Sequence, residues 1–426
     1  MSTTETEGAT ARRVHSTWTA TWRTAVGAAL AVTLVLLAFA WPTHTSTVRD
    51  MPLGVVATAQ QKAQLEQALQ AAGGAFTLTD YSDEAAARSA IEHREVYGAL
   101  VLPADAKAPK TTVLTASAAG PAASQMITAA AQKMGAEQAK GVAAAKQQSA
   151  TALSTTVAQA SAAQASVKTL EAVAAKLPPQ QAAALQPQLD QARSQAAALA
   201  QQVSTQKAAL EAIPAPQVDV VDVVPLASTD SRGAGFAIAG LPLAMGGMIG
   251  GIMISTLLVG WKRRLLAVAG YGVLGGLGLA LVLHGWFGFV QGNFFLIWLV
   301  LGLAVAATAS FIVGAQSLLG QPGIALGAVV TMFIGNPIAS LSSPKEWLPW
   351  HWGEIGQWFV PGAAGNLMRV ESYFPHAPQL WSWVALLLWL LVGVALTLVG
   401  RHKDDEVIHL EGYVEPDAPR RAAVEA

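Results

Sequence analysis

The sequence predicts an α-helical polytopic membrane protein with six transmembrane helices. It also predicts an extracytoplasmic α/β domain, inserted between helices 1 and 2, that carries a long helical hairpin. Three observations support this class. Apolar residues make up 53% and charged residues 12% of the 426 residues, whereas soluble domains contain about 25% charged residues. The apolar residues form six separate blocks, and the basic residues beside these blocks fall on one side of a six-span topology.

Each apolar block has about the length that a transmembrane helix requires, which is about 20 residues for a hydrocarbon core about 30 Å thick. The predicted spans are Thr24–Trp41, Gly233–Trp261, Leu265–Val290, Phe294–Leu319, Gly323–Leu341 and Leu380–Gly400. A cleaved signal peptide is the alternative for the first block, because residues 38–40 (AFA) resemble a cleavage site. The length of the apolar run favours an uncleaved anchor.

Basic residues orient the spans, since short loops rich in Lys and Arg stay in the cytoplasm. Basic clusters lie within residues 12–23, 262–264 and 401–403. We therefore expect a multi-pass protein of the bacterial plasma membrane with both termini in the cytoplasm. The expected segments are cytoplasmic tails 1–23 and 401–426, the first span 24–41, the other five spans within 233–400, and extracytoplasmic segments 42–232 and 342–379.

The extracytoplasmic segment 42–232 begins and ends with an α/β pattern, at about 50–120 and 214–227. Short runs rich in β-branched residues predict strands, and the stretches between them predict helices. The predicted strands are Leu53–Ala57, Phe76–Asp80, Val96–Leu102, Thr111–Ala116 and Gln217–Pro225. Ser82 is the expected N-cap of one helix, followed by acidic residues that suit its N-terminal dipole.

An Ala- and Gln-rich stretch at about 121–213 predicts an antiparallel helical hairpin, broken at residues 177–179 (LPP). Steps of 4 and 3 residues alternate along its second arm, which is a coiled-coil pattern: Leu185, Leu189, Ala192, Ala196, Leu199, Val203, Gln206, Leu210 and Ile213. The first arm has a weaker pattern: Leu153, Val157, Ala160, Gln164 and Val167. Low-complexity disorder is the alternative, but the helix propensity of Ala and Gln favours the hairpin.

The sequence contains no recognisable catalytic or nucleotide-binding motif. It has no Cys, which excludes disulfides, zinc–thiolate sites and a Cys nucleophile. It has neither a P-loop nor a G-x-S-x-G elbow. The formal net charge of −1 argues against nucleic acid as a partner. We expect a protein that is not an enzyme, binds no cofactor or metal and has the lipid bilayer as its surroundings.

The predicted spans contain no Asp, Glu, Lys or Arg at depth, whereas ion-coupled transporters usually carry ionisable groups there. His284 is the exception, and its place near the outer end of the third span favours a structural role over proton transfer. Asn336 and Pro337 are expected to kink the fifth span, because proline removes one backbone hydrogen bond.

Glycines recur at four-residue spacing in the second span, where Gly246, Gly247, Gly250 and Gly251 form two overlapping pairs. Such pairs allow helices to approach closely. Packing within the six-helix bundle is one interpretation. A face for homodimer or heterodimer formation is the alternative.

The segment 342–379 is rich in aromatic residues, with four Trp between residues 347 and 358. Trp favours the membrane boundary, and Pro361-Gly362 should break any helix there. The segment therefore predicts a re-entrant or interfacial hairpin that dips in from outside, with a plain interfacial loop as the alternative. We expect Trp358, Pro361, Gly362 and Arg369 to form an extracellular gate.

Three stretches resemble the YhgE/Pip (phage infection protein-like) family, which is related to type-2 permeases of ABC transporters. They are DEAAARSAIEHREVYGALVLP (Asp83–Pro103), SAAGPAASQ (Ser117–Gln125) and LPW…IGQWFVPGAAGNLMRVESYF before the last span. The order of one span, a large insert and five spans is similar as well. The resemblance implies a role in export or in the cell envelope and dimeric assembly with an ATPase, but supplies no catalytic residue.

One feature departs from the type-2 permeases, which commonly contact their ATPase through a cytoplasmic helix between the second and third spans. Here that link is only about Lys262–Arg264, too short for a helix. The N-terminal tail, with Trp18 and Trp22, is a candidate for the inner membrane surface instead.

Two functions are consistent with these patterns. The first is a permease-like protein of the ABC type-2 exporter class that exports a hydrophobic or amphipathic substrate with energy from a separate cytoplasmic ATPase. The alternative is a non-transporting envelope scaffold or receptor that binds partners through its extracytoplasmic domain.

Overall fold

The computed structural model describes residues 17–71, 74–103, 110–215 and 217–404. Its α-helices are α1 Trp18–Thr45, α2 Ala59–Ala71, α3 Glu84–Glu92, α4 Pro121–Ala174, α5 Pro179–Glu211, α6 Ala234–Leu257, α7 Trp261–Ala280, α8 Phe294–Leu319, α9 Gln321–Ala328, α10 Trp352–Gly356, α11 Val360–Tyr373 and α12 Leu380–Asp404. Its strands are β1 Met51–Val56, β2 Phe76–Asp80, β3 Gly98–Val101, β4 Lys110–Thr115 and β5 Gln217–Asp222.

The chain divides into two compact units. One consists of Arg49–Leu226, and the other combines Met1–Val48 with Ala227–Ala426. The first unit contains all five strands, and we call it the α/β unit. The second contains α1 and α6 to α12, and we call it the membrane unit because it holds the helices long and apolar enough to cross a bilayer.

The α/β unit is built on one five-stranded sheet with the order β2-β1-β3-β4-β5. β1 pairs in parallel with β2 and β3, and β4 pairs in parallel with β5. These parallel pairings need helical crossovers, which α2, α3 and the α4–α5 pair provide. β3 and β4 are antiparallel.

Apolar residues on one sheet face form the core of the α/β unit. Met51, Val55 and Val113 are almost fully buried there, and Ile91 of α3 and Ile127 of α4 are buried with them. Close packing on this face is visible at Gly98, whose added Cβ would lie 2.9 Å from the side chain of Ile127. This core anchors the first turns of α4 on the sheet.

The helix α3 is capped by Asp83 rather than by the expected Ser82. The Asp83 carboxylate accepts a hydrogen bond from Ala86 N at 2.8 Å, while the Ser82 hydroxyl donates to the same carboxylate at 3.0 Å. The hydrogen bond from the Ala86 amide lowers the pKa of Asp83 below its ordinary value. Asp and Ser are about equally favourable at the N-cap position, so N-cap preference alone does not distinguish Ser82 from Asp83.

The helices α4 and α5 pack side by side as a hairpin joined by a tight turn. Near the turn, Arg193 Nη2 of α5 lies 2.7 Å from Glu171 Oε1 of α4. All nine residues of the predicted second-arm pattern are at least partly covered, as is Ala182, and Leu189 and Ala196 are buried.

The predicted pattern of the first arm is wrong at two positions. Val157 and Gln164 face outward, and Val157 is 45% exposed. The preceding residues, Thr156 and Ala163, occupy the covered positions instead. The Thr156 hydroxyl donates to Ala152 O within its own helix, which lets a polar residue lie in the contact where the sequence pattern favours an apolar one.

The helix α8 is the centre of the membrane unit and the most buried of its candidate spans. It contacts α6, α7, α9, α11 and α12. Its neighbours approach it through glycine. A Cβ added at Gly247 would lie 2.6 Å from Thr308 Cβ, and one at Gly251 would lie 3.0 Å from Ala309 Cα. In the same span, Gly246 and Gly250 face Tyr271 of α7.

Five helices are long and apolar enough to span a bilayer among the described residues: Trp18–Pro42, Ala239–Leu257, Trp261–Trp286, Phe294–Leu319 and Leu380–Arg401. The predicted fifth span, Gly323–Leu341, differs. α9 continues as a π-helical turn, Val329–Ile334, and ends there. This apolar helix covers 14 residues, or about 21 Å at 1.5 Å per residue.

Residues 321–341 nevertheless pass from one end of the bundle to the other. Gly323 packs on the backbone of Ala315 near the end of α8, and the Leu341 side chain packs against Gly240 near the start of α6. The predicted kink at Asn336 and Pro337 is absent, because both residues follow the end of the helix in a turn. Proline disfavours helical conformation at the preceding residue, which suits a helix end there.

Alanine substitutions on α7 test the glycine contacts around α8. A Cβ at Gly276 would lie 2.6 Å from Gly302 N, whereas a Cβ at Gly278 meets nothing within 4 Å. We expect Gly276→Ala to lower the free energy of unfolding by about 1–3 kcal/mol through overpacking, and Gly278→Ala to leave it unchanged. Thermal unfolding of the detergent-purified protein, followed by circular dichroism, measures both. Equal midpoints would contradict the packing described.

The N-cap of α3 should stabilise the α/β unit in a pH-dependent way. Because the folded pKa of Asp83 is depressed, its contribution is present above the unfolded pKa and is lost as pH falls through the folded pKa. We expect Asp83→Ala to lower the unfolding midpoint at neutral pH, with a difference from wild type that shrinks at acidic pH.

The matched variant for this test is Asp83→Asn, which keeps the hydrogen-bond acceptor but cannot titrate. It should stay close to wild type at neutral pH. A difference between Asp83→Ala and wild type that is constant from neutral to acidic pH would exclude the ionised cap.

Candidate functional site

The aromatic segment 342–379 forms two short 3₁₀ turns, the short helix α10 and the longer helix α11. Pro361 does not break the helix, contrary to expectation. It lies in the first turn of α11, which begins at Val360. In the first turn, the missing N–H of proline costs nothing and its fixed φ suits a helix. The segment therefore starts a helix at the position where the sequence suggested an end.

The helix α11 is buried in the membrane unit although it is too short to span a bilayer. Ala363, Ala364, Leu367 and Val370 are fully buried. Three of them, Ala363, Ala364 and Leu367, belong to a core shared with α8 and α12. Gly362 allows close contact with the backbone of α10, since an added Cβ would lie 3.0 Å from Gln357 Cα. α11 thus fills space between longer helices.

Arg369 is the charged residue of this helix core, and it is 9% exposed. Its Nη2 donates to Leu341 O at 2.7 Å. The Leu341 side chain packs against Gly365, one turn before Arg369 on α11. A charged donor bonded to a carbonyl at a buried position is worth about 1.5–3 kcal/mol. The arginine therefore fastens α11 to the end of segment 321–341.

Trp358 lies apart from the other three predicted gate residues. It precedes α11 and is 47% exposed, and its ring centroid is 5.8 Å from that of Trp381 of α12. Its carbonyl accepts a hydrogen bond from Trp389 Nε1 at 2.8 Å. The structure thus places Pro361, Gly362 and Arg369 on one buried helix and leaves Trp358 on the surface beside α12.

A hydrogen-bonded clasp that sequence reasoning missed holds the other end of α11. The Ser372 hydroxyl accepts from Gln291 N at 3.1 Å and donates to Met368 O at 2.6 Å. Ala227 N donates to the Tyr373 hydroxyl at 3.2 Å. The backbone of Gly292 has a φ of +91° and packs on the backbone of Glu371. The clasp therefore joins the end of α11 to the start of α8 and to the approach to α6.

Burial changes the pKa of two side chains near the clasp, Glu371 and Tyr373, and both residues lie outside the five candidate spans. Burial raises the pKa of the Glu371 carboxyl. Burial also raises the pKa of the Tyr373 hydroxyl, and the nearby Asp230 adds to this. At neutral pH the Tyr373 hydroxyl is protonated, as its role as a partner of Ala227 allows.

The approach to α6 is fixed by Asp230, which is 6% exposed. Its Oδ2 accepts from Gly235 N at 2.9 Å in the first turn of α6. A carboxylate at a helix N-terminus is favourable for the helix dipole. Thr229 adds a second tie, since its hydroxyl donates to Gly288 O at 2.7 Å. Gly288 and Gly292 both adopt positive φ, and two glycines so close together among aromatic residues are the sequence feature that could have indicated a tight turn here.

His284 lies in a π-helical turn, Leu281–Trp286, that continues α7. Its ring contacts Phe294 edge-on, with centroids 5.7 Å apart. Its Nδ1 atom is buried without a hydrogen-bond partner among the described residues. The contact with Phe294 is the packing role that the sequence favoured.

The contacts described at this site are packing contacts and hydrogen bonds. Within the described part of the chain, no group of three or more His, Asp or Glu side chains is placed to hold a metal ion. The helix α11 is tied at its ends by Arg369 and Ser372 and in its middle by Asn366, whose Nδ2 donates to Ser382 Oγ of α12 at 2.9 Å.

Neither the curated proteins nor the solved structures contain a match to this chain. One protein family, described as ABC-2 family transporter protein, matches residues 22–399, which include both units and all five candidate spans apart from the ends of the first and last. The chain therefore belongs to the ABC-2 family of transporter proteins.

Proposed function

We propose that this ABC-2 permease exports a hydrophobic or amphipathic substrate with energy supplied by a separate cytoplasmic ATPase. The family supports the permease class, and such permeases usually pair with an ATPase. The spans α6 and α8 contain no Asp, Glu, Lys or Arg, and the charges of α7 and α12 lie at their ends. A path along these helices suits apolar cargo better than ions.

The observation that carries the proposal is the seating of α11. This short helix occupies the interior of the bundle, fastened by Arg369 to Leu341 O and by Ser372 to Gln291. Asn366 adds a third polar tie, to Ser382 of α12, so these side chains join α11 to three different parts of the membrane unit. We infer that α11 is the extracellular gate, with Arg369 as the fastening and Pro361 and Gly362 as the packed start of the helix.

We propose that both termini are cytoplasmic and that residues 321–341 are the sixth crossing. The passage of this segment between the two ends of the bundle supports this. Tryptophans at both ends support it too, since Trp favours membrane boundaries. Trp18, Trp22 and Trp261 lie at helix starts on the proposed inner side. The outer group is Trp286, Trp350, Trp358 and Trp381.

The link between α6 and α7 is a fixed turn rather than a docking helix. Arg264 is 5% exposed, and its Nε donates to Leu258 O at 2.9 Å. Its Nη1 lies 3.3 Å from Ser317 Oγ, so it ties the ends of α6 and α8 together. Lys262 and Arg263 remain exposed. We propose that the ATPase contacts this exposed basic turn together with the start of α1.

A scaffold or receptor role is the second candidate, and the YhgE/Pip resemblance belongs to it as well as to the permease. The hairpin α4–α5 supports it, because Val157 and Val173 are each 45% exposed on α4. Exposed apolar residues on a long helical pair can contact a protein partner. The same exposed surface of the hairpin could also join two copies of the chain in a dimer.

The gate can be tested with a single reporter, because the chain has no Cys. Ala364→Cys places the reporter at a fully buried position of α11. Replacing Arg369 by Met removes the charged hydrogen bond to Leu341 O, which is worth about 1.5–3 kcal/mol. A loss of that size would raise the population in which α11 is open at least about tenfold. We expect an equal rise in labelling by a membrane-impermeant maleimide added to intact cells.

The matched variant Arg369→Lys keeps a donor and should label more slowly than Arg369→Met. A second reporter, Ala309→Cys, is fully buried in α8 and reports general unfolding. Labelling that rises equally at both reporters would show loss of structure instead of gate opening. Labelling unchanged by Arg369→Met would exclude the fastening role.

Crosslinking from native membranes tests the ATPase partner. Photo-crosslinking residues at Lys262 and Trp18, both exposed, should capture a nucleotide-binding protein. The same residue at Trp350, 77% exposed at the proposed outer end, should not. Capture of no nucleotide-binding protein from either inner position, with unchanged export of lipophilic compounds in a deletion strain, would favour the scaffold.

A further inference from the structure

The turn between α6 and α7, residues 258–263, presents two exposed cations, and we call it the basic turn. Val259, Lys262 and Arg263 are exposed in it. Lys262 Nζ lies over the Trp261 ring, 5.4 Å from the ring centroid. The salt bridges seen among the described residues lie elsewhere in the chain. Within the described part of the chain, the two exposed cations therefore have no carboxylate partner.

The end of α12 lies beside the basic turn, because both contact the same residue of α8. Arg264 follows the two exposed cations, and its Nη1 lies 3.3 Å from Ser317 Oγ in the last turn of α8. On α12, Gly400 packs on the backbone of Ser317, and the helix ends four residues later at Asp404. Packed helices lie about 8–10 Å apart, so two helices that touch the same residue of a third lie within about 20 Å of each other.

The sequence that follows α12 is acidic, and we call residues 404–417 the acidic tail. This stretch contains no Lys or Arg, and its six acidic residues are Asp404, Asp405, Glu406, Glu411, Glu415 and Asp417. With His neutral, six carboxylates give a formal charge of −6 at neutral pH. Apolar residues separate the acidic ones in residues 406–415 (EVIHLEGYVE). The tail thus offers the charge that the basic turn lacks, together with apolar side chains.

The acidic tail is long enough to reach the basic turn but not the other end of the bundle. An extended chain covers about 3.3–3.6 Å per residue, so the six residues from Asp404 to Leu410 cover about 20 Å. This equals the separation that the shared contact with Ser317 allows. By contrast, Trp286 lies at the far end of the span that begins at Trp261, about 35 Å away along the helix.

We propose that the acidic tail binds the basic turn of the same chain. Lys262 and Arg263 would pair with its carboxylates, and an apolar residue of the tail would cover Val259, which is 67% exposed. Exposed ion pairs are individually weak, but the short connection through the end of α12 holds the carboxylates near the turn at about millimolar effective concentration. The tail would then cover the surface that the proposed function assigns to the ATPase, and this consequence alone rests on the proposed function.

Disulfide formation between two introduced cysteines tests the proposal, because the chain has no Cys. The reporter pair is Val259→Cys in the turn and Leu410→Cys in the tail, which leaves every charge in place. The purified full chain, without an ATPase, is reconstituted in phosphatidylcholine vesicles and oxidised, and mass spectrometry follows the intramolecular disulfide. We expect this disulfide to form. The matched control pairs Leu410→Cys with Trp286→Cys, where Trp286 is 79% exposed, and should form none.

Charge reversal separates specific binding from chance encounter. Lys262→Glu combined with Arg263→Glu should slow the disulfide about tenfold, because two attractive pairs become repulsive. Adding Asp405→Lys and Glu406→Lys to the reversed turn should restore the rate. Salt at about 1 M, where the screening length is about 3 Å, should slow the reaction of the unreversed protein. If the reversed turn lowers the unfolding midpoint, Lys262→Gln with Arg263→Gln gives the same comparison with a smaller change.

Three outcomes would overturn the proposal. The first is a disulfide rate that depends neither on the charge of the turn nor on salt. The second is a disulfide that joins two chains, which would identify the tail of a second copy as the occupant. The third is loss of the disulfide when phosphatidylglycerol is added to the vesicles, which would identify anionic headgroups as the occupant. Because no ATPase is present, these results are independent of whether Lys262 captures a nucleotide-binding protein.

Discussion

The membrane unit depends on close contact between the backbone of α8 and its neighbours. Lipid tails are as apolar as leucine, so helices in a bilayer associate through packing rather than through the hydrophobic effect. Glycines at the crossings provide that packing. Gly247 contacts Thr308, and Gly272 contacts Ala306. A Cβ added at Gly393 of α12 would lie 2.5 Å from Phe311 N of α8. The helix α11 packs beside α8 in the same unit.

The sequence was informative about elements whose signal is composition. Apolar blocks located five full-length spans, and β-branched runs located the five strands within a few residues. It was less informative about where a helix ends. Gly323–Leu341 is mostly apolar, but the helix stops at Ile334. A π-helical turn and Pro337 act locally, whereas hydropathy is averaged over about 19 residues. The hairpin gives a second example. The sequence pattern favours an apolar residue in the contact between the arms, but Thr156 lies there because its hydroxyl donates to Ala152 O of its own helix.

The sequence singled out the segment that contains α11 but not the geometry that α11 adopts. Pro361, Gly362 and Arg369 were found from an unusual run of aromatic and helix-breaking residues, yet burial of Arg369 was not expected from its charge. The carbonyl of Leu341 makes that burial possible, and a backbone acceptor leaves no trace in a sequence. The clasp formed by Ser372 and Gln291 was missed for the same reason, because one half of each bond is main chain.

The alternating 3- and 4-residue spacing of the hairpin constrains how its length can change in evolution. Seven residues make two turns of a coiled coil and advance each helix by about 10 Å. Gain or loss of seven residues in both arms would preserve the facing of Leu189 and Ala196 and leave β4 and β5 paired at its base. Most other numbers would change which residues of one arm face the other, unless the helices locally over- or unwind. We therefore expect homologous hairpins to differ mainly in steps of whole heptads.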